Sequence, residues 1–210
     1  MYRPTAFDVT DVTELHDAIA ASGPAHLISM TDCGLTASVV PLLLDRDRGP
    51  HGSLVGHLAR ANRHWRNATA GVESLAIFAG PDAYISPSWY ATKKETGKVV
   101  PTWNYEVIHV YGELVVHDDP VWVEALVRRL TDHHEVDRDE RWSVDDAPTE
   151  YVRAQLRAIV GIELPIIRIE GKHKLSQNRP TADITGAING LSAGTPTERA
   201  VAERMTRAGR

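Results

Sequence analysis

The sequence predicts an antiparallel β-barrel with helices, an α+β fold, from three observations. At least six short apolar or β-branched segments follow one another in the first part of the chain, and the links between them are short. Apolar residues alternate along the longest of these segments, as they do in a half-buried strand. The 210 residues are enough to bury a core without a metal or a disulfide. We expect residues 1–180 to form the barrel domain with inserted helices, and residues 181–210 to form a C-terminal helical extension packed on it.

The strands are bounded by turn residues. The predicted strands are Ala25–Met30, Leu35–Leu44, Ser53–Leu58, Val72–Ala79, Ala83–Ser86, Thr102–His117 and Glu163–Glu170. The turn at Thr31–Gly34 joins the first two into a hairpin. Pro41 lies inside the second strand and cannot donate to a ladder, so it marks an edge, a bulge or backbone that faces a ligand.

Helices are predicted where apolar residues recur at helical spacing behind a capping residue. Asp11 caps the first helix with Glu14 as its capping-box partner, and Gly23 follows its end. The other predicted helices are Ala59–Asn67, Asp119–His134, Thr149–Val160, Asp183–Asn189 and Pro196–Ala208. In the helix Ala59–Asn67, Arg60 and the first free backbone N–H groups would form an anion site at the helix N-terminus. The alternative for Arg60 is a solvated helix face.

Composition limits the classes of partner. The net charge of -5 opposes a nucleic-acid binder, which needs a basic surface to neutralise phosphates. The single cysteine, Cys33, cannot form an internal disulfide and fits a reducing compartment. The first residues do not read as a signal peptide, and no apolar run is long enough to cross a bilayer. We expect a cytoplasmic protein with no membrane partner.

The histidines do not predict a metal site, although the chain has ten. Neither an H-E-x-x-H motif nor a Cys/His cluster occurs, and no metal ligand is predicted. His57 and His109 fall in predicted strands and could approach one another in a barrel, but core histidines are commoner than ligands. No G-x-S-x-G elbow, Walker or Rossmann motif occurs either, so no catalytic residue is assigned.

The stretch Gly80–Gly112 has the composition of a small-molecule site. It places two Trp-Tyr or Trp-Asn-Tyr patches among hydroxyls, amides and lysines. A planar ring needs flat apolar walls, and a phosphate needs hydroxyl, backbone and cationic donors. The segment Gly171–Arg179 adds Lys172, Lys174 and Arg179 as a second phosphate or ligand element. The alternative is that the aromatic side chains of two neighbouring strands fill the core.

Five segments carry a family resemblance. The sequences of Met1–Phe7, Gly56–Trp65, Gly80–Tyr90, Val100–Tyr105 with His109, and Lys174–Arg179 resemble the PaiB family in the same order. That family comprises FMN-binding split-barrel proteins described as negative transcriptional regulators, akin in fold to pyridoxamine-phosphate oxidases and flavin reductases. The resemblance implies an antiparallel split barrel and a homodimer with FMN at the subunit interface. One departure is Arg63-His64, which replaces an ANPQW-like turn.

The resemblance also implies the FMN contacts. They are Arg60, Ala61, Asn62, Ser86, Pro87, Ser88, Trp89, Tyr90, Thr102, Trp103, Asn104, Tyr105, Lys174, Gln177, Asn178 and Arg179. We assign Arg60, Ser86, Ser88 and Lys174 to the phosphate, and Trp89, Trp103, Asn104 and Tyr105 to the ring, with individual roles interchangeable.

Three functions are compatible with an FMN site. The first is a flavin-linked negative transcriptional regulator, acting on DNA or through a regulatory partner; the sequence offers no helix-turn-helix for direct DNA binding. The second is an FMN-dependent oxidoreductase of the NAD(P)H-linked flavin reductase kind, by analogy with split-barrel relatives. The third is a flavin-storage or interaction module without turnover.

Overall fold

The computed structural model describes residues 1–209, which form antiparallel sheets and helices. The strands are β1 (Asp8–Val9), β2 (Ala25–Thr31), β3 (Gly34–Val40), β4 (Leu42–Asp45), β5 (Ser53–Ala59), β6 (Glu73–Ile85), β7 (Thr102–Glu113), β8 (Val115–His117), β9 (Ile159–Pro165) and β10 (Arg168–Lys174). The helices are α1 (Val12–Ala20), α2 (His64–Asn67), α3 (Ala91–Thr96), α4 (Pro120–Glu135), α5 (Thr149–Arg157), α6 (Thr181–Ser192) and α7 (Pro196–Ala208). This confirms the predicted α+β class with antiparallel sheets.

The chain divides into two compact units. The first unit consists of Met1–Leu15, Ala79–Ile108 and the chain from Glu170 onward, and its strand order is β1-β10-β7-β6. Its core lies where α6 and α7 bring apolar residues one turn apart against Ile85 and Leu175. Thr195 starts α7 with a capping box to Glu198, and a proline occupies the first turn, where no N–H is needed.

The second unit consists of His16–Phe78 and His109–Ile169. It contains a four-stranded antiparallel sheet in the order β4-β5-β9-β8, in which β5 and β9 pair from Ser53↔Pro165 to Ala59↔Ile159. It also contains the β2–β3 hairpin, and β2 pairs with β6. Helix α4 buries Leu126 and Leu130 against Val55. Asp119 caps α4 and Pro120 occupies its first turn, as the sequence predicts.

Several predicted boundaries were wrong because backbone pairing overrides local pattern. The predicted strand Leu35–Leu44 is interrupted at Pro41, and its halves β3 and β4 belong to different sheets. The predicted strand Thr102–His117 ends at Glu113, and β8 belongs to another sheet. A Cβ at Gly112 would lie 2.1 Å from the carbonyl oxygen of Pro165, so the glycine permits a close backbone approach there. Within residues 1–209, no helix has both the length and the apolar character that a bilayer span requires.

Candidate functional site

Three cations of the first unit lie beside phenol rings. Lys172 and Lys174 alternate along β10, so their side chains share one face of the strand. Their ammonium nitrogens lie 5.3 and 5.8 Å from the ring centroid of Tyr105. The guanidinium of Arg179 lies 5.1 Å from the ring centroid of Tyr90. We name Lys172, Lys174 and Arg179 the cation cluster.

The cation cluster has no carboxylate partner in ion-pair range among the described residues. Lys172 is only 8% exposed. Burial, and then the charges of Lys172 and Arg179, lower the pKa of Lys174 below its usual value of 10.5. Lys174 Nζ donates to Thr102 Oγ1 at 2.6 Å and to the carbonyl of Trp103. Because partly buried cations repel one another, an anion with several oxygens would stabilise this arrangement.

Two predicted contact residues hold the loop that follows β10. The amide of Asn104 is fully buried and donates to Ser176 Oγ at 3.0 Å. Ser176 has a φ of 67°, a left-handed conformation that this contact helps to hold. Gln177 Oε1 accepts from the N–H of Leu175 at 2.7 Å, and its Nε2 donates to the carbonyl of His173 at 2.6 Å. Asn104 and Gln177 therefore position the loop that carries Arg179, whereas Asn178 is exposed.

The aromatic residues of the predicted site divide into core and surface. Tyr90 is 1% exposed, and burial raises its pKa. Trp89 is half-buried against Gly186 and Gly190 of α6. Trp103 is 53% exposed and lies edge-on to Tyr84 with ring centroids 6.1 Å apart. The alternative that the aromatic side chains fill the core thus holds for Trp89 and Tyr90. Trp103 instead leaves one face of its indole ring open to a ligand.

The hydroxyls of the SPSWY segment shape a turn. Ser86 Oγ accepts from the N–H of Ser88 at 3.2 Å and caps the 3-10 turn Pro87–Trp89. Lys93 Nζ donates to Ser88 Oγ at 3.0 Å. Ser88 therefore lies next to a further cation on an exposed surface, where both can meet a ligand.

The second unit holds Arg60, Ala61 and Asn62, and the helix predicted to begin there is wrong. Strand β5 continues to Ala59, the N–H of Arg60 donates to the carbonyl of Ala158 at 2.8 Å, and α2 begins only at His64. The guanidinium of Arg60 donates to both oxygens of Asp118, which raises the pKa of Arg60. Arg60 therefore has a carboxylate partner and does not lie in the first turn of a helix.

His64, where the sequence departs from the family's ANPQW-like turn, lies in a buried polar pocket. The ring is 3% exposed, with Nδ1 2.9 Å from Ser38 Oγ and Nε2 2.9 Å from Ser29 Oγ. Asn62 supports the same pocket, because its Oδ1 accepts from the N–H of His64 and its Nδ2 donates to Ser38 Oγ. Burial lowers the pKa of His64 below 6.5. Asn62 and His64 thus serve folding through one network.

Acidification should destabilise the protein through His64. Its folded pKa lies below the unfolded value of 6.5, so the unfolded state binds more protons as the pH falls through 6.5. The stabilisation is complete above pH 6.5 and is lost as the pH falls toward the lower, folded pKa. We expect urea unfolding at pH 5 and pH 8 to show a smaller pH difference for His64→Gln than for the wild type.

Two further histidines serve as controls for that measurement. Burial also lowers the pKa of His57, so His57→Gln should reduce the same difference. His133→Gln, on the exposed surface of α4, makes the same substitution away from the buried polar pocket and is the matched control. An unchanged pH difference in His64→Gln would show that His64 does not couple protonation to folding.

Sequence reasoning missed a buried carboxylate in the second unit. Glu163 is 3% exposed and accepts from Ser53 Oγ at 2.9 Å, Arg48 Nε at 2.7 Å and His117 Nε2 at 2.8 Å. The His117 ring stacks on Trp122 at 3.9 Å, with 9° between the planes. The available signal was one glutamate within an apolar strand. Within the described residues, no group of three or more His, Cys, Asp or Glu side chains could hold a metal ion.

Known proteins resemble this chain in sequence and in fold. A family model described as "Putative FMN-binding domain" matches residues 1–168. Protease synthase and sporulation protein PAI 2 of Bacillus subtilis (strain 168) is 31% identical over 206 residues, covering 98% of this chain and 96% of that protein. The flavocytochrome Anf3 of Azotobacter vinelandii has a TM-score of 0.59 at 14% identity, covering 82% of this chain and 72% of that chain. The FAD and heme binding protein of Mycobacterium smegmatis has a TM-score of 0.57 at 17% identity, covering 90% of this chain and 80% of that chain.

The two solved structures support the fold, and the sequence matches decide the family. The family model spans most of the chain, and the Bacillus relative is similar over nearly its whole length. The family resemblance and the FMN cofactor predicted from the sequence are thereby confirmed. The chain belongs to the PaiB family of FMN-binding domain proteins.

Proposed function

We propose that this protein is a homodimeric split-barrel flavoprotein that binds FMN through the first unit and acts as a flavin-linked negative transcriptional regulator. The observation that carries the FMN site is the cation cluster, which lacks carboxylate partners within residues 1–209. A phosphate that binds there replaces repulsion among cations with charge-assisted hydrogen bonds. Membership of the PaiB family supports the assignment.

The remaining groups around the cation cluster suit the rest of FMN. Thr102 offers a hydroxyl beside Lys174, Ser88 offers one beside Lys93, and the exposed indole of Trp103 offers a flat apolar face for a tricyclic ring. Bound FMN would supply reversible electron or hydride transfer. The protein's own part is to hold the phosphate, and Asn104 and Gln177 keep the loop in place for it.

The roles of the predicted contacts differ within this proposal. We assign the cation cluster to the phosphate, and Trp103 and Tyr105 to the ring. Ser86, Pro87, Trp89 and Tyr90 shape and support the turn beside Ser88. Arg60, Ala61, Asn62 and Asn178 stay predicted contacts, as do the split barrel, the homodimer with FMN at its interface, and the cytoplasmic location.

The visible spectrum of freshly purified protein tests the FMN site. We expect the absorption bands of an oxidised flavin, and we expect heat-released cofactor to comigrate with FMN in chromatography. If the protein is isolated colourless, added FMN should lose fluorescence as it binds beside Trp103. Colourless protein that leaves FMN fluorescence unchanged would refute the site.

The regulatory part has its own tests. Light scattering should give twice the mass of one chain. A gel-shift titration across salt concentrations should show sequence-dependent retention of upstream DNA if the dimer acts on DNA directly. A monomer would exclude FMN at a subunit interface, and absence of any sequence preference would move regulation to a protein partner.

The alternative is an NAD(P)H-linked FMN oxidoreductase. The observation that favours it is the exposure of Trp103, because a hydride donor must reach the ring that this indole faces. Anaerobic stopped-flow mixing of the FMN-loaded protein with NADH or NADPH separates the two functions. Rapid loss of flavin absorbance supports the enzyme, whereas flavin that stays oxidised with both donors leaves the regulator.

A further inference from the structure

The outer face of the β2–β3 hairpin is apolar except for one histidine, and it lies open to solvent. Residues opposite one another in an antiparallel pair have their side chains on the same face of the sheet. By register, this face carries His26, Ile28, Met30, Leu35, Ala37 and Val39. We name these six residues the hairpin face. Leu35 is 73% exposed and Val39 is 64% exposed, so large aliphatic side chains of the second unit stand in water.

The hydroxyls of the hairpin lie on its other face. Ser29 and Ser38 alternate with the residues of the hairpin face and contact the buried ring of His64. The hydroxyl of Ser29 also lies 2.7 Å from that of Ser74 on β6. A sheet face that meets water normally carries the polar side chains of its strands. Because these side chains point inward here, the hairpin face has the composition of a surface that another layer covers.

The apolar surface continues onto β6. Leu75 lies opposite Ile28, Ile77 lies opposite His26, and both are half-buried. None of these eight residues is an Asp, Glu, Lys or Arg. At about 4.8 Å between strands and about 3.4 Å per residue, the three segments cover a flat area of about 200 Å², and their side chains expose more than this plane. Such an extent suits the apolar centre of an interface that buries about 800 Å² per partner inside a polar rim.

A second copy of this chain fits the hairpin face. In a two-fold contact the same surface lies on both sides, so uncharged residues meet uncharged residues and no charge is buried without a partner. The small Ala37 lies between Leu35 and Val39 on β3, which leaves room for a larger side chain of the other copy. Because the chain carries a net charge of -5, a contact without charged residues also avoids repulsion between two acidic copies where they approach most closely.

We propose that two copies of this chain associate through the hairpin face, with Leu75 and Ile77 at its side. This surface rests on the homodimer of the proposed function and specifies where the two copies meet. Each copy buries Leu35, Val39 and Met30, and association gains free energy in proportion to the apolar area that leaves water.

Concentration-dependent sedimentation of the full chain tests the surface. We expect the wild type to sediment as a dimer at micromolar concentration, and Leu35→Lys to raise the dissociation constant of the dimer at least about 100-fold. Two-fold symmetry places the substitution twice in each contact, and each lysine leaves a buried charge without a partner. Because Leu35 is exposed in the single chain, the variant should keep the circular dichroism spectrum of the wild type. A wild type that stays monomeric at high micromolar concentration would overturn the proposal, and the homodimer with it.

An exposed valine of α4 supplies the matched control. Val121 is 76% exposed and lies outside the hairpin face, so Val121→Lys adds the same charge at similar exposure. We expect it to change the dissociation constant of the dimer less than about threefold. Wild-type dimer affinity in both Leu35→Lys and Val39→Lys would overturn this surface and leave the homodimer in place. Equal weakening in Val121→Lys would also overturn it, because added charge alone would then explain the effect.

A neutral substitution separates apolar burial from charge. Leu35→Gln removes apolar area without changing the net charge. We expect it to weaken the dimer at least about tenfold, and less than Leu35→Lys does, because both copies lose apolar burial but no charge is buried. Wild-type dimer affinity in Leu35→Gln would show that this side chain stays in water in the dimer, and would overturn the surface.

Discussion

Replacing Lys172 and Lys174 with glutamine should lower the affinity for FMN at least about 100-fold, while the affinity for riboflavin stays within about threefold. Riboflavin carries the same tricyclic ring without the phosphate, so the ratio of the two affinities isolates the phosphate contact. Each charge-assisted hydrogen bond contributes about 1.5 to 3 kcal/mol, and two such contacts account for the loss. Fluorescence titration of cofactor-free protein measures both affinities.

The same contact makes FMN affinity dependent on pH. Burial and the neighbouring cations lower the pKa of Lys174, so this side chain loses its proton at a lower pH than a free lysine does. FMN affinity should therefore fall as the pH rises through that lowered pKa, and Lys174→Gln should flatten the dependence. In the cofactor-free protein, the pH dependence of folding stability should run in the opposite direction. Its unfolded state binds more protons in this window, so its free energy of unfolding rises with pH up to the unfolded value of 10.5.

The matched control removes two exposed lysines elsewhere in the first unit. Lys94 and Lys98 lie on the surface at and beyond α3, and Lys94→Gln with Lys98→Gln makes the same change in net charge. Those exposed charges are screened by salt, so the control should lose less than about threefold in FMN affinity at physiological ionic strength. A parallel loss of riboflavin affinity in the Lys172 and Lys174 variant would mean that the cluster supports the fold rather than the phosphate.

The cation cluster could be predicted from sequence because its information is local. Lys172 and Lys174 are two residues apart, and alternation alone places them on one face of a strand. Their neighbour Tyr105 came from a separate motif, and only the antiparallel pairing within the first unit brought the two motifs together. Local pattern therefore identified the side chains, and strand pairing decided which of them meet.

The errors came from contacts between residues far apart in the chain. Arg60 looked like the first turn of a helix, but its guanidinium and its N–H bind residues more than fifty positions away. Glu163 and Ser53 are separated by 110 positions, and no local pattern connects them. Asn104 was predicted to contact the flavin ring, and the structure buries it against Ser176, where it supports the loop after β10. Polarity alone does not distinguish a ligand contact from a structural hydrogen bond.

Adding one methyl group to α6 should lower the free energy of unfolding about as much as truncating one core side chain often does. A Cβ at Gly186 would lie 2.0 Å from the carbonyl oxygen of Trp89, and backbone has little room to move. Alanine is the better helix former by about 1 kcal/mol, but the overlap opposes this. We expect Gly186→Ala to lower the free energy of unfolding by about 2 to 3 kcal/mol and to weaken FMN binding, since Trp89 ends the turn that carries Ser88. Urea unfolding of cofactor-free protein measures the first effect, and Gly23→Ala, whose Cβ meets nothing within 4 Å, is the control.

A substitution at Gly190 tests whether the indole ring or the backbone of Trp89 causes that loss of stability. A Cβ at Gly190 would lie 2.4 Å from the indole ring of Trp89, so its obstacle is a side chain. In a Trp89→Ala background, Gly190→Ala should therefore become neutral or stabilising by up to about 1 kcal/mol. Gly186→Ala should stay destabilising in the same background, because the carbonyl remains. If truncating Trp89 rescued both glycine variants equally, the ring alone would set the spacing of α6 from this turn, and the close backbone approach would not be the constraint.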